Sequence, residues 1–130
     1  MVINLGDAKQ GDFHSITEEI KALKAVCGDK ILKVIIEACF LTNEEKIELC
    51  HCVTNGGADF IKTSTGFGSG GATLEDVQLF KKYIGPSVQI KAAGGIRSVE
   101  AMKAYIEAGC TRIGASAAVG LLKNRLNETV

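Results

Sequence analysis

Asp59-Phe-Ile-Lys-Thr63 runs directly into Ser64-Thr-Gly-Phe-Gly-Ser-Gly-Gly71, and Thr73-Leu-Glu-Asp76 then opens a segment with helical periodicity. The first piece is a short apolar run, which reads as a strand. The second is a glycine-rich loop, and the third carries the hydroxyl and carboxylates of a helix start. The same strand-loop-helix unit recurs on both sides. Apolar, β-branched runs occupy residues 2–5, 31–37, 59–63, 88–92 and 111–114, with helical segments between them. Strands alternating with helices at a regular interval indicate a parallel sheet, so the expected class is α/β with about five βα units.

The helical segments carry their own boundary signals. Thr42-Asn-Glu-Glu45 and Ser15-Ile-Thr-Glu18 read as capping boxes, in which hydroxyl and carboxylate satisfy otherwise free N–H groups, and Thr73-Leu-Glu-Asp76 is a variant with Asp in the last place. Ile16, Ile20, Leu23 and Cys27 predict one buried stripe; Val77, Phe80 and Ile84 predict a second, and Val99, Met102 and Ile106 a third. Gly56-Gly57, Gly85-Pro86 and Gly109 are stop signals. No linker or low-complexity stretch divides the chain, so residues 1–130 are expected to form a single domain.

Composition removes several function classes. Fifteen basic and 15 acidic residues give a net charge of zero, with no polybasic block, so nucleic acid is not an expected partner. No apolar run approaches the roughly 18–20 residues that cross a bilayer, and the N-terminus lacks the pattern of a signal peptide; no membrane association is expected. Cys27, Cys39, Cys50, Cys52 and Cys110 are odd in number and suit no disulfide framework, so reduced thiols in a cytoplasmic protein are expected. Cys50-His51-Cys52 lies mid-helix with one residue between the thiols and no second ligand pair, so no metal site and no cofactor are expected.

Strand alternation sorts the remaining side chains. Phe60 and Lys62 share one face, opposite Ile61 and Thr63; Gln89 and Lys91 share one face, opposite Val88, Ile90 and Ala92. Each lysine sits at the C-terminal end of its strand. Lys62 alone admits two readings, a lysine whose ammonium snorkels to solvent or a catalytic amine. Lys91 on the neighbouring strand favours the second, because like charges so placed depress one pKa and leave a neutral amine able to attack a carbonyl. Gly66-Phe-Gly-Ser-Gly-Gly71, Ala93-Gly-Gly-Ile96 and Gly114-Ala-Ser-Ala-Ala-Val-Gly120 each follow a strand and precede a helix. Small residues there let backbone N–H groups approach an anion such as a phosphate, although glycine is also ordinary turn chemistry. Arg97 either assists there or is a solvated arginine at a helix start.

Phe60-Ile-Lys-Thr-Ser-Thr-Gly-Phe67 with Gly70-Gly-Ala-Thr73, Ile90-Lys-Ala-Ala-Gly-Gly-Ile-Arg97 and Arg112-Ile-Gly-Ala-Ser116 resemble the signatures of the deoxyribose-phosphate aldolases, and Val2-Ile-Asn-Leu-Gly6 and Lys33-Val-Ile-Ile-Glu37 resemble that family in order and spacing. The resemblance implies part of a (β/α)8 TIM barrel, strands four to eight. It implies a metal-free class I aldolase that cleaves 2-deoxy-D-ribose 5-phosphate to acetaldehyde and D-glyceraldehyde 3-phosphate. Lys62 would be the Schiff-base lysine, and Lys91 the second lysine that holds it neutral and helps proton transfer. Gly94, Gly95, Gly114 and Ser116 match phosphate-binding positions, and Thr65 is expected to line the same pocket. Ala117 stands where some members carry a second serine, so one phosphate contact is expected to be missing.

The resemblance also sets out departures. The chain is expected to begin inside the fourth strand, and no residue matches the family's proton-relay aspartate; the family's C-terminal tail is not apparent after Val130. Five strands cannot close a barrel of eight, and an open sheet invites association, either with further copies or with an N-terminal portion of the barrel. Besides a phosphosugar aldolase, the sequence admits a catalytically impaired fragment with a phosphosugar-binding or structural role, or another phosphosugar barrel enzyme that uses the lysines differently.

Overall fold

The computed structural model describes residues 1–127, with side chains through Lys123. In chain order the elements are α1 (Leu5–Gln10), α2 (Phe13–Cys27), β1 (Lys33–Ile35), a 3-10 turn (Ala38–Phe40), α3 (Asn43–Asn55), β2 (Phe60–Lys62), α4 (Leu74–Tyr83), β3 (Gln89–Ala93), α5 (Val99–Ala108), β4 (Arg112–Gly114) and α6 (Ala118–Asn127). The four strands form one sheet in the order β1-β2-β3-β4, every pair parallel.

The fifth expected strand, residues 2–5, is reduced to a single bridge between Val2 and Ile35. Its backbone does run alongside β1, with Ile3 N–H donating to Ile35 O at 3.0 Å and Ile35 N–H donating to Met1 O at 2.9 Å. It stops there because Asn4 caps a helix: its side-chain oxygen accepts from the N–H groups of Gly6 and Asp7, turning Leu5 into the first helical residue.

The expected capping box at Ser15 is also displaced. Asp12 is the cap of α2, accepting from Ser15 N–H at 3.0 Å and Ser15 Oγ at 2.7 Å, so Ser15 lies inside the helix; Glu18 pairs with Lys21 at 2.7 Å instead. Asp competes as well as Ser for a cap position, and here it comes first. Thr42 and Glu45 form the expected capping box on α3, and Thr73 caps α4 by accepting from Asp76 N–H at 3.1 Å.

Helices cover one face of the sheet, and the core lies between. Ile16 and Ile20 from α2, Leu49 and Val53 from α3, and Val77 and Phe80 from α4 meet Val34, Ile36, Ile61, Ile90 and Ala92 of the sheet. Three stripe residues fall outside it: Leu23 and Ile106 are exposed, and Val99 is only partly buried. On α5 the helix turns Tyr105 inward in place of Ile106, because its hydroxyl reaches Ala72 O at 2.7 Å while the ring stays in the core. All five cysteines are free thiols; burial pushes Cys50 up to about 12 and Cys110 up to about 11.

Between α3 and α4 the Lys46 ammonium meets the Asp76 carboxylate at 2.6 Å, with little of either side chain exposed. Lys46→Ala leaves that carboxylate buried without a counter-charge, and we expect a loss of about 3 kcal/mol in urea unfolding, in line with other broken buried pairs. A loss below about 0.5 kcal/mol would mean that water reaches Asp76 and the pair contributes as little as a surface bridge.

Candidate active site

The uncovered face of the sheet is decided by alternation. With Ile61, Ile90 and Ala92 turned to the helices, Lys33, Phe60, Lys62, Gln89, Lys91 and Arg112 fall on the other side. The register sets Lys62 beside Lys91 and Lys91 beside Arg112 on successive strands, at the roughly 4.8 Å spacing of a sheet. Phe60 is almost fully buried beneath this layer, with Arg112 stacked 4.9 Å from its ring centre and the Lys33 ammonium at 5.7 Å.

At the C-terminal ends of β2, β3 and β4 a cavity of about 400 Å³ opens. Every residue expected at the site lines it: Lys62, Thr65, Lys91, Gly94, Gly95, Gly114 and Ser116, joined by Arg97. Its charged lining is entirely cationic. Gly94 and Gly95 both take positive φ, at 88° and 74°, which turns the backbone of this loop along the cavity wall. Gly114 gives room of another kind: a Cβ there would lie 3.1 Å from Lys91 Cε, so its bare backbone lets the lysine side chain pass.

The loop ends are stapled from below by a buried polar cluster. Thr63 Oγ1 donates to Ala93 O and accepts from Ala93 N–H, both at 3.1 Å, and Ser64 Oγ donates to Thr63 Oγ1. Both hydroxyl residues are fully buried. Above them Ala72 N–H lies 3.1 Å from the carbonyls of Ala93 and Gly94, so the loop after β2 rests on the loop after β3.

Three contributors were not singled out from the sequence. Lys33 and Arg112 belong to motifs quoted above but received no role, although strand alternation puts both on the lysine face. Glu37 ends its apolar run as a charged residue, and the structure finds it buried, accepting from Thr65 N–H at 3.1 Å and from the Thr65 hydroxyl.

Burial, and then the like charges of Lys62, Lys33 and Arg112, hold Lys91 below the ordinary lysine range. The site therefore contains an amine whose charged form is disfavoured, beside a second amine on the next strand.

Residues 1–125 match the family model for the DeoC/LacD aldolases. The chain belongs to the DeoC/LacD aldolase family. A deoxyribose-phosphate aldolase of Clostridium botulinum is 64% identical over 123 residues, which cover 95% of this chain and 56% of that protein. Among solved structures, the aldolase QR15 superposes with a TM-score of 0.92 at 38% identity, covering 98% of this chain and 58% of its own. A tetrameric deoxyribose phosphate aldolase from Aeropyrum pernix gives a TM-score of 0.78 at 28% identity, covering 99% and 54%. The chain thus spans a little over half the length of the relatives it matches, and its four parallel strands are a partial (β/α)8 barrel of this family.

The Lys91 shift has a consequence for stability. Its folded pKa lies below its unfolded one, so between the two values the unfolded chain binds more protons and stability rises with pH. Below that window the ammonium is present in both states and the cost of holding it in the site is fully expressed. Lys91→Met should therefore be more stable than the parent at pH 7, and the gap should close as pH approaches about 10.4. Thermal melts of both proteins across that range check it; a constant gap would locate the effect in packing instead of charge.

Proposed function

We propose that this cavity is the Schiff-base site of a deoxyribose-phosphate aldolase. The observation that carries the reading is the in-register pair Lys62–Lys91 opening onto a cavity in whose lining, among the described residues, no carboxylate stands. A neutral lysine amine attacks the substrate aldehyde carbon, and loss of water gives a protonated imine. When the bond between C2 and C3 of the deoxysugar breaks, its electron pair moves into the imine. D-Glyceraldehyde 3-phosphate departs, and protonation and hydrolysis of the resulting enamine release acetaldehyde. Lys62 is the nucleophile in this reading and Lys91 the second lysine, which exchanges protons with the intermediates. The substrate phosphate lies against Gly94, Gly95, Gly114 and Ser116, where cationic side chains and loop backbone favour an anion, and Thr65 lines the same cavity.

The role of the rest of the barrel belongs to the same proposal. The chain corresponds to strands four to eight, forms one domain and works in the cytoplasm. Among the described residues no helix is long and apolar enough to cross a membrane. Among the described residues β4 ends the sheet with an unpaired edge and no element covers the lysine face, so we propose association with further copies or with an N-terminal portion that completes the wall. The open wall also supports a second reading for this chain alone, imine formation and phosphosugar binding without efficient turnover, since a missing proton-transfer partner costs about 10²–10⁴ in rate.

Borohydride reduction in the presence of acetaldehyde tests the nucleophile. Peptide mapping should find an ethyl group on Lys62, and Lys62→Ala should lose the adduct while melting close to the parent. Adducts spread over many lysines would reject the site. In light scattering the chain should run larger than a monomer; a monodisperse monomer would reject the association.

A further inference from the structure

Glu37 is the one described non-glycine residue with positive φ, at 50°, a backbone conformation that L residues adopt only where their surroundings demand it. It is also nearly fully buried. A buried carboxylate on a strained backbone, set against a loop that lines the cavity, has to be accounted for by what it holds. Both its oxygens are used on one residue: Oε1 accepts from Thr65 N–H and Oε2 accepts from the Thr65 hydroxyl. Thr65 Oγ1 then accepts from Phe67 N–H at 3.0 Å, passing the constraint along the loop. The loop is laid tightly on this anchor, since a Cβ at Gly68 would lie 3.2 Å from the Glu37 carboxyl and 2.9 Å from Cys39 Sγ.

We infer that Glu37 is a positioning residue for the loop that follows Lys62, fixing Thr65 as an acceptor on the cavity wall. A hydroxyl has one proton and two lone pairs. The Thr65 proton is committed to Glu37 and one lone pair to Phe67 N–H, which leaves a single lone pair. Such an oxygen suits a donor, namely a hydroxyl of the sugar, and does not suit a phosphate oxygen. Thr65 is thereby distinguished in role from Gly94 and Gly95, which line the same cavity. The inference rests on the aldolase reading of the cavity and deepens it, by assigning one wall to recognition of a substrate hydroxyl through a carboxylate that touches no substrate.

Glu37→Gly tests it, because glycine adopts this backbone freely and only the carboxylate is lost. Amide hydrogen exchange should quicken at Thr65 and Phe67 by at least about tenfold while the core helices keep their protection. In borohydride trapping, the concentration of 2-deoxyribose 5-phosphate needed for half-maximal labelling of Lys62 should rise about tenfold more than that of acetaldehyde, which has no hydroxyl, the size expected for one hydrogen bond held by a charged partner. Glu37→Gln, which keeps one acceptor, should recover part of both effects. Unchanged exchange at Thr65 and Phe67, or an equal rise for the two aldehydes, would overturn the inference. If the parent protein traps neither aldehyde, the aldolase reading fails, and the exchange result alone decides whether Glu37 holds the loop.

Discussion

The register of the parallel sheet is the constraint on which the site depends. Val34, Ile61, Ile90 and Ala92 are buried against the helices, and a slip of one residue would turn them to the other face and bring neighbours such as Lys33, Lys62 or Lys91 into the core. The hydrophobic core therefore fixes Lys62 beside Lys91 without any direct attraction between them. Two cations on adjacent strands repel, and the core supplies what holds them there. A pair of lysines on a loop would move apart; on strands locked by their opposite faces they cannot, and burial together with that repulsion lowers the affinity of Lys91 for its proton.

The loops above the sheet show how close backbone contact replaces side-chain contact. A Cβ on Gly71 would lie 2.3 Å from Gly94 O, so the loop after β2 and the loop after β3 touch through bare backbone. Ala72 N–H donates into the same point, and Tyr105 donates to Ala72 O from α5. One helix, two loops and two strand ends are thereby tied together around the cavity. The loops that follow β2 and β3 and the lysine pair are held as one unit by contacts that involve no charged group.

Much of this was legible in the sequence, and the reasons differ by element. The sheet strands 33–35, 60–62, 89–93 and 112–114 follow from apolar runs bounded by glycine, and the seven expected site residues meet in one cavity because strand ends converge by construction. Boundaries were less legible. Asn4 stops the run at residues 2–5 by capping a helix, and Asp12 takes the cap from Ser15, because a local side-chain hydrogen bond outweighs pattern at a segment end. Tyr105 displaces Ile106 through a partner 33 residues away, which no window of sequence contains. Glu37 was hidden for a similar reason: an acid closing a strand ordinarily faces water, and only the folded loop supplies the Thr65 groups that bury it.

The balance of charge across the sheet explains why that burial matters. On the helix side the acids are spent locally, Lys46 on Asp76, Lys24 on Asp59 and Lys9 on Glu45. On the other side stand Lys33, Lys62, Lys91 and Arg112, and among the described residues none has a carboxylate partner within ion-pair distance. A carboxylate bound to Lys62 would stabilise the ammonium and oppose nucleophilic attack at neutral pH. Glu37 is the buried carboxylate nearest in the fold to that fate, one strand away at the same end of the sheet. Its commitment to the Thr65 N–H and hydroxyl satisfies it without a cation.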